Sequence, residues 1–125
     1  MSDKSMIVFS VKPAWIYRSN SGEMRETHLQ IDFLADTYGE AIHAGIKWAR
    51  NRHDNIMKDL YEDCSLGSIK IGCRRISTPS EDGYISTTYL GSFFEWKCGN
   101  GYPTPEDRAR SCEKNWDLYH ESPEQ

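Results

Sequence analysis

The residues that could carry chemistry in this chain are few and spaced badly for it. His28, Gln30 and Asp32 fall on one side of a strand-like run, the arrangement that could hold a general base beside its orienting carboxylate. An extended strand separates His28 from Asp32 by roughly 13 Å, too far for a direct dyad without a group between them. Glu40-x-x-His43 has the helical spacing that supplies two ligands to carboxylate-bridged metal pairs. Such sites need a second copy and two further glutamates, and the chain has no second copy.

The four cysteines, Cys64, Cys73, Cys98 and Cys112, form no C-x-x-C and stand beside no histidine at zinc-finger spacing. Cys73 and Cys112 lie on apolar stripes, where a thiol acts as a small hydrophobe. His53 likewise lies on an apolar helical stripe and reads as a packed histidine. Gly67-Ser68-Ile69 and Gly91-Ser92-Phe93 lack the second glycine of a nucleophile elbow. Gly99-Asn100-Gly101 continues into Tyr102-Pro103 without the lysine or third glycine of a phosphate loop. No catalytic residue, metal or cofactor is expected.

The elements that must position these residues are easier to read. Ile7, Phe9 and Val11 alternate with Val8, Ser10 and Lys12, and after the Ser19-Asn20-Ser21-Gly22 turn Leu29, Ile31 and Phe33 alternate with His28, Gln30 and Asp32, which predicts a hairpin with one buried face. Pro13 marks the first arm as an edge or a bulge, with Trp15, Ile16 and Tyr17 on a twisted extension. Thr37-Tyr38-Gly39-Glu40 is a capping box opening a helix that runs to about Glu62. Its stripe of Ile42, Ile46, Ala49, His53, Ile56 and Leu60 has helical period. Ile69, Ile71 and Cys73 begin a third strand; Thr78 to Gly83 is a loop; Tyr84 to Cys98 reads as one strand bent at Gly91-Ser92. Thr104-Pro105-Glu106-Asp107 caps a second helix with a stripe of Ala109, Cys112, Trp116 and Tyr119.

The expectation is therefore a single α+β domain over residues 1–120, ordered β-β-α-β-β-α, with a mainly antiparallel four-stranded sheet and a frayed tail at 121–125. The chain has 125 residues, a formal charge of −4 from 15 basic and 19 acidic side chains, and no apolar run of a membrane span's length. The opening Met1-Ser2-Asp3-Lys4-Ser5 is too polar for a signal peptide. A cytoplasmic protein with reduced thiols and no membrane partner is expected.

Two binding patterns remain. Aromatic residues crowd the strands, and Phe93 and Phe94, being adjacent, should face opposite ways in a regular strand, leaving one exposed. Trp15, Tyr17 and Phe93 or Phe94 are thus the expected anchors of a protein-binding surface, with a homodimer through an edge strand as one form of it. Lys47, Arg50 and Arg52 on the helix, with Lys70, Arg74 and Arg75 on the third strand, form the alternative, a basic face for nucleic acid; the net negative charge opposes it. A small enzyme using His28 or His43 with nearby carboxylates is the third reading.

A short, acidic, aromatic-rich α+β chain without motifs resembles in character the small accessory proteins of bacteriophages and other mobile elements, many of which block host enzymes by binding them. The resemblance covers no specific residues and implies only a binding role, that of an inhibitor of a host or partner enzyme.

Overall fold

The computed structural model describes residues 5–77 and 79–111; the rest of the expected second helix, with Cys112, Trp116 and Tyr119, and the 121–125 tail lie outside the described residues. Five strands form one antiparallel sheet: β1 Ser5–Arg18, β2 Met24–His28, β3 Ile31–Phe33, β4 Glu62–Ser77 and β5 Thr87–Lys97. The hydrogen-bonded order is β2-β1-β4-β5, with β3 also on β1. The expected α+β class and antiparallel sheet hold. One strand more appears because the second hairpin arm is divided.

Pro13 explains the division, and of its two expected placements the bulge holds and the edge does not: the β1–β4 register shifts just beyond it, between Ala14 and Trp15. Far from lying on an edge, β1 is an interior strand, with Pro13 opposite Ile69 of β4 on one side. On its other side β2 pairs with Ala14 to Arg18 and β3 with Phe9 to Val11. The proline falls in the gap, where its carbonyl accepts from Leu29 N at 3.3 Å. A residue without an N–H cannot serve an unbroken ladder, and here the neighbouring arm breaks opposite it.

Helix α1, Tyr38–Arg52, opens with half of the expected capping box: Glu40 N donates to Thr37 Oγ1 at 3.1 Å, while the Glu40 carboxylate reaches one residue further back and accepts from Asp36 N at 3.2 Å rather than from Thr37 N. Ile7, Phe9, Val11 and Trp15 from one face of β1 join Leu66, Ile69, Ile71 and Cys73 of β4 beneath Ala41, Ile42, Ile46 and Ala49 of α1. Alternate residues of β1, and of β4 from Ile69 to Cys73, thus go into the core under α1, as the strand period demands, with the β1–β4 register shift at Ala14/Trp15 making the step from Leu66 to Ile69 three residues.

The helix does not run regularly to Glu62. After Arg52 it widens into a π-helical turn, His53–Met57, and only then resumes as α2, Lys58–Leu60. The wider turn accommodates one extra residue and shifts the stripe. Met57 is consequently 3% exposed, while Ile56 and Leu60, which a regular helix would bury, stand 40% and 63% exposed. Tyr61 completes the shifted stripe against the core.

Strand β5 is a single bent strand, as expected, and its bend consists of two bulges. Phe94 lies opposite Ile71 but Ser92 opposite Gly72, and Gly91 lies opposite Cys73 but Tyr89 opposite Arg74. Phe93 and Leu90 are the extra residues. The bulged backbone presses so close that a Cβ on Gly72 would sit 2.8 Å from the Gly91 carbonyl oxygen, and Gly91 itself takes φ +111°.

A short 3-10 turn, Cys98–Asn100, leads to helix α3, Pro105–Ser111. Its capping box is reciprocal: Asp107 N donates to Thr104 Oγ1 at 3.1 Å and Thr104 N to the Asp107 carboxylate at 3.0 Å. α3 packs against α1 and β5, on the α1 side of the sheet. Among the described residues no helix covers the opposite face.

The shifted stripe makes a distinguishing prediction. Ile46→Ala and Met57→Ala should each cost about 2 to 5 kcal/mol in chemical denaturation, whereas Ile56→Ala and Leu60→Ala should fall within about 0.5 kcal/mol of the parent. A large loss for Leu60→Ala with none for Met57→Ala would mean that the helix is regular after all.

Candidate functional site

The expected anchors are redistributed by the bulges. Trp15 is fully buried under α1, and Phe94 is buried beside it. Phe93 does not face away from Phe94, because a bulge residue turns toward the same side as its neighbour; its ring makes edge contacts with Phe9 and Tyr38 at centroid distances of 5.8 and 4.8 Å. Tyr17 packs on Tyr61 at 4.3 Å. Trp15 and Phe94 are therefore core residues, not surface anchors.

The exposed apolar surface lies instead at the end of the β4–β5 hairpin. Tyr84, Ile85, Tyr89 and Leu90 are 77%, 58%, 52% and 42% exposed, within seven residues of chain. Met6, also exposed, lies on the β1 residue opposite Ile76, which in turn pairs with Thr87. Tyr89 is fixed by a 2.7 Å hydrogen bond between its hydroxyl and Ser92 Oγ and by Lys12 Nζ, 5.4 Å from its ring centre. Leu90 points out because it is the bulge residue. Sequence reasoning missed this cluster by assigning Tyr84 to Cys98 wholesale to a strand; the loop chemistry of Thr78 to Gly83 and the Gly91 bend were the available signals.

The basic set is not brought onto one face. Lys70 and Arg74 project from the sheet face turned away from α1, where Arg74 pairs with Asp32 across β1 and Lys70 with Glu95 at 3.8 Å. Glu95 also takes Lys97 at 3.4 Å. Arg75 falls on the α1 side of β4, opposite Ile7. A continuous phosphate-tracking surface on these six residues is not what the fold builds. The histidines of the enzyme reading are separated too: His28 Nε2 meets Glu26 at 2.8 Å on an exposed strand, and Asp32 is held by Arg74.

Lys47 and Arg50 do meet other cations, in a cleft of about 190 Å³ between α1 and the Pro103–Arg108 segment. His43, Lys47 and Arg50 fall at helical steps on one side of α1 and line it together with Asp54 of the π-helical turn that follows. Trp96 Nε1 donates to the Gly101 carbonyl at 2.9 Å, which fixes the far wall, and the Arg50 guanidinium lies 4.2 Å from the Tyr102 ring centre. Arg108, presented by capped α3, reaches His43 Nδ1 at 2.7 Å. Because the guanidinium can only donate, His43 Nδ1 accepts, and a neutral ring there carries its proton on Nε2. Burial first, and then the Asp54 carboxylate and Cys98, push the Tyr102 phenol up against the opposing pull of Arg50.

The chain matches no family model, no curated protein and no solved structure.

Among the described residues no three histidine, cysteine or acidic side chains gather as a metal site, and Cys64, Cys73 and Cys98 are free thiols. Burial pushes all three thiols up, with a Tyr38 hydrogen bond opposing this at Cys73. Raised folded-state values mean that the unfolded chain loses these protons first, so the stability they contribute is complete below about 8.5, the ordinary thiol value, and declines as pH rises through it. The urea midpoint should accordingly fall between neutral pH and mildly alkaline pH. A midpoint that stays constant or rises across this interval would show that the thiols are not shielded as described.

Proposed function

We propose that this chain is a small non-enzymatic protein-binding module that acts through the end of its β4–β5 hairpin, in the manner of an inhibitor that occupies a partner enzyme's surface. The observation that carries the reading is the run of exposed Tyr84, Ile85, Tyr89 and Leu90. Single exposed apolar residues are ordinary, but four within seven residues of chain, two of them tyrosine, have the composition that interface hot spots favour. Tyrosine contributes large contact area at little conformational cost, and Tyr89 is already held in place by Ser92 and Lys12.

The occupant in this reading is another protein with an apolar recess. A second copy pairing edge to edge along β5 is disfavoured, since bulges at Leu90 and Phe93 interrupt the row of outward backbone groups that such a ladder requires.

Replacing Tyr84 and Leu90 together with serine tests the proposal. Both are exposed, so the variant should melt within about 0.5 kcal/mol of the parent. Tagged parent protein is expected to retain a specific protein from lysate that the variant releases, and sedimentation should find the parent monomeric. Equal retention by both proteins would place the interface elsewhere. A parent dimer dissolved by the same substitutions would make the occupant a second copy and overturn the reading.

A further inference from the structure

The cleft beside α1 collects positive charge that the other described residues do not pair. The formal charge of the whole chain is −4, yet Lys47, Arg50 and Arg108 converge there with Asp54 as the one carboxylate among the described lining residues. On the open sheet face each of Lys70, Arg74 and Lys97 has an acidic partner. Among the described residues no carboxylate lies within ion-pair distance of Lys47, Arg50 or Arg108. Three cations against one carboxylate repel one another, and the repulsion is relieved when an anion enters.

Two of the cations are also held in place. Arg50 lies over the Tyr102 ring and Arg108 donates to His43, so their remaining N–H groups are oriented before any ligand arrives, which lowers the ordering cost of binding. With its proton on Nε2, His43 supplies another donor. The cleft's volume, about 190 Å³, lies below the roughly 300 to 1,000 Å³ of pockets for drug-sized ligands. Its occupant is small, rich in acceptor oxygens and doubly negative, matching a lining with a net charge of two.

We propose that this cleft binds the phosphate monoester group of a small ligand as its dianion. A monoester, with a second pKa of about 6, carries that charge at neutral pH and offers three strong acceptor oxygens. A phosphodiester carries one charge and a carboxylate has only two oxygens, so both fit the donor set less well.

The probe is methyl phosphate, titrated into isotope-labelled protein at neutral pH and constant ionic strength, with the His43 ring and the α1 amides followed by NMR. Saturable shifts at His43, Lys47 and Arg50 are expected. Lys47→Gln and Arg108→Gln should each weaken binding roughly tenfold or more, the scale of a lost hydrogen bond to a charged group. Both side chains lie outside the core, and unchanged spectra away from the cleft would establish that the variants fold. Dimethyl phosphate and succinate should bind more weakly than methyl phosphate. Non-saturable shifts, or variants that bind as the parent does, would overturn the site. Equal or tighter binding of the diester would overturn it in favour of a nucleic-acid backbone, and of succinate in favour of an acidic side chain.

Discussion

The height of α1 above the sheet is the constraint on which the remaining structure hangs, and Gly45 sets it. A Cβ at that position would lie 2.7 Å from the terminal methyl of Ile71 and 3.4 Å from Cβ of Val11. The helix therefore rests directly on the two central strands, in van der Waals contact that dense interiors make sensitive to a single methyl group. With α1 at this height, Ile42, Ile46 and Ala49 reach the same cluster as Trp15 and Ile69. The face of α1 that carries His43, Lys47 and Arg50 is then turned toward the Pro103–Arg108 segment, where the cleft forms.

Both candidate surfaces also depend on one-residue insertions into otherwise regular elements. In β5 the insertions are Leu90 and Phe93; one sends an apolar side chain outward and the other sends an aromatic ring inward. In the helix the insertion is the π turn His53–Met57, which buries Met57 and places Asp54 at the margin of the cleft. Insertions of this kind disturb backbone pairing locally, and they persist where the surrounding packing fixes them. Here the packing is identifiable: the Phe93 ring against Phe9 and Tyr38, and Met57 against the core under α1.

These insertions mark where the sequence stopped being legible. Alternation at Ile7 to Val11, the cap at Thr37 and the stripe from Ile42 to Ala49 each express a local period, and local periods are sufficient to identify a strand or a helix start. The antiparallel α+β architecture followed from them. A period read past an insertion fails, because nothing in Asp54-Asn55-Ile56 or Phe93-Phe94 announces that the count will shift by one. Hence Leu60 and one of the two phenylalanines were assigned to the wrong surroundings. Pro13 was legible as a disruption, but whether a strand or its neighbour gives way depends on pairing, which is a tertiary choice. The cleft was legible only in part: Lys47 and Arg50 are close in sequence, whereas Arg108 is joined to them by chain reversal through β4 and β5.

The distribution of charge separates the two faces of the sheet by physical role. On the open face, Arg74 with Asp32 and Lys70 and Lys97 with Glu95 balance one another in high dielectric, where each pair is worth no more than about 1 kcal/mol and contributes chiefly solubility. Beside α1 the cations have no ion-pair partner among the described residues, and the groups that hold Arg50 and Arg108, the Tyr102 ring and His43 Nδ1, carry no formal negative charge. An aromatic face and a neutral imidazole orient a guanidinium without cancelling its field. A carboxylate in either position would have fixed the same side chain and quenched it. The cleft thus retains its positive potential while two of its cations are held by uncharged partners, a combination that surface ion pairing would have destroyed.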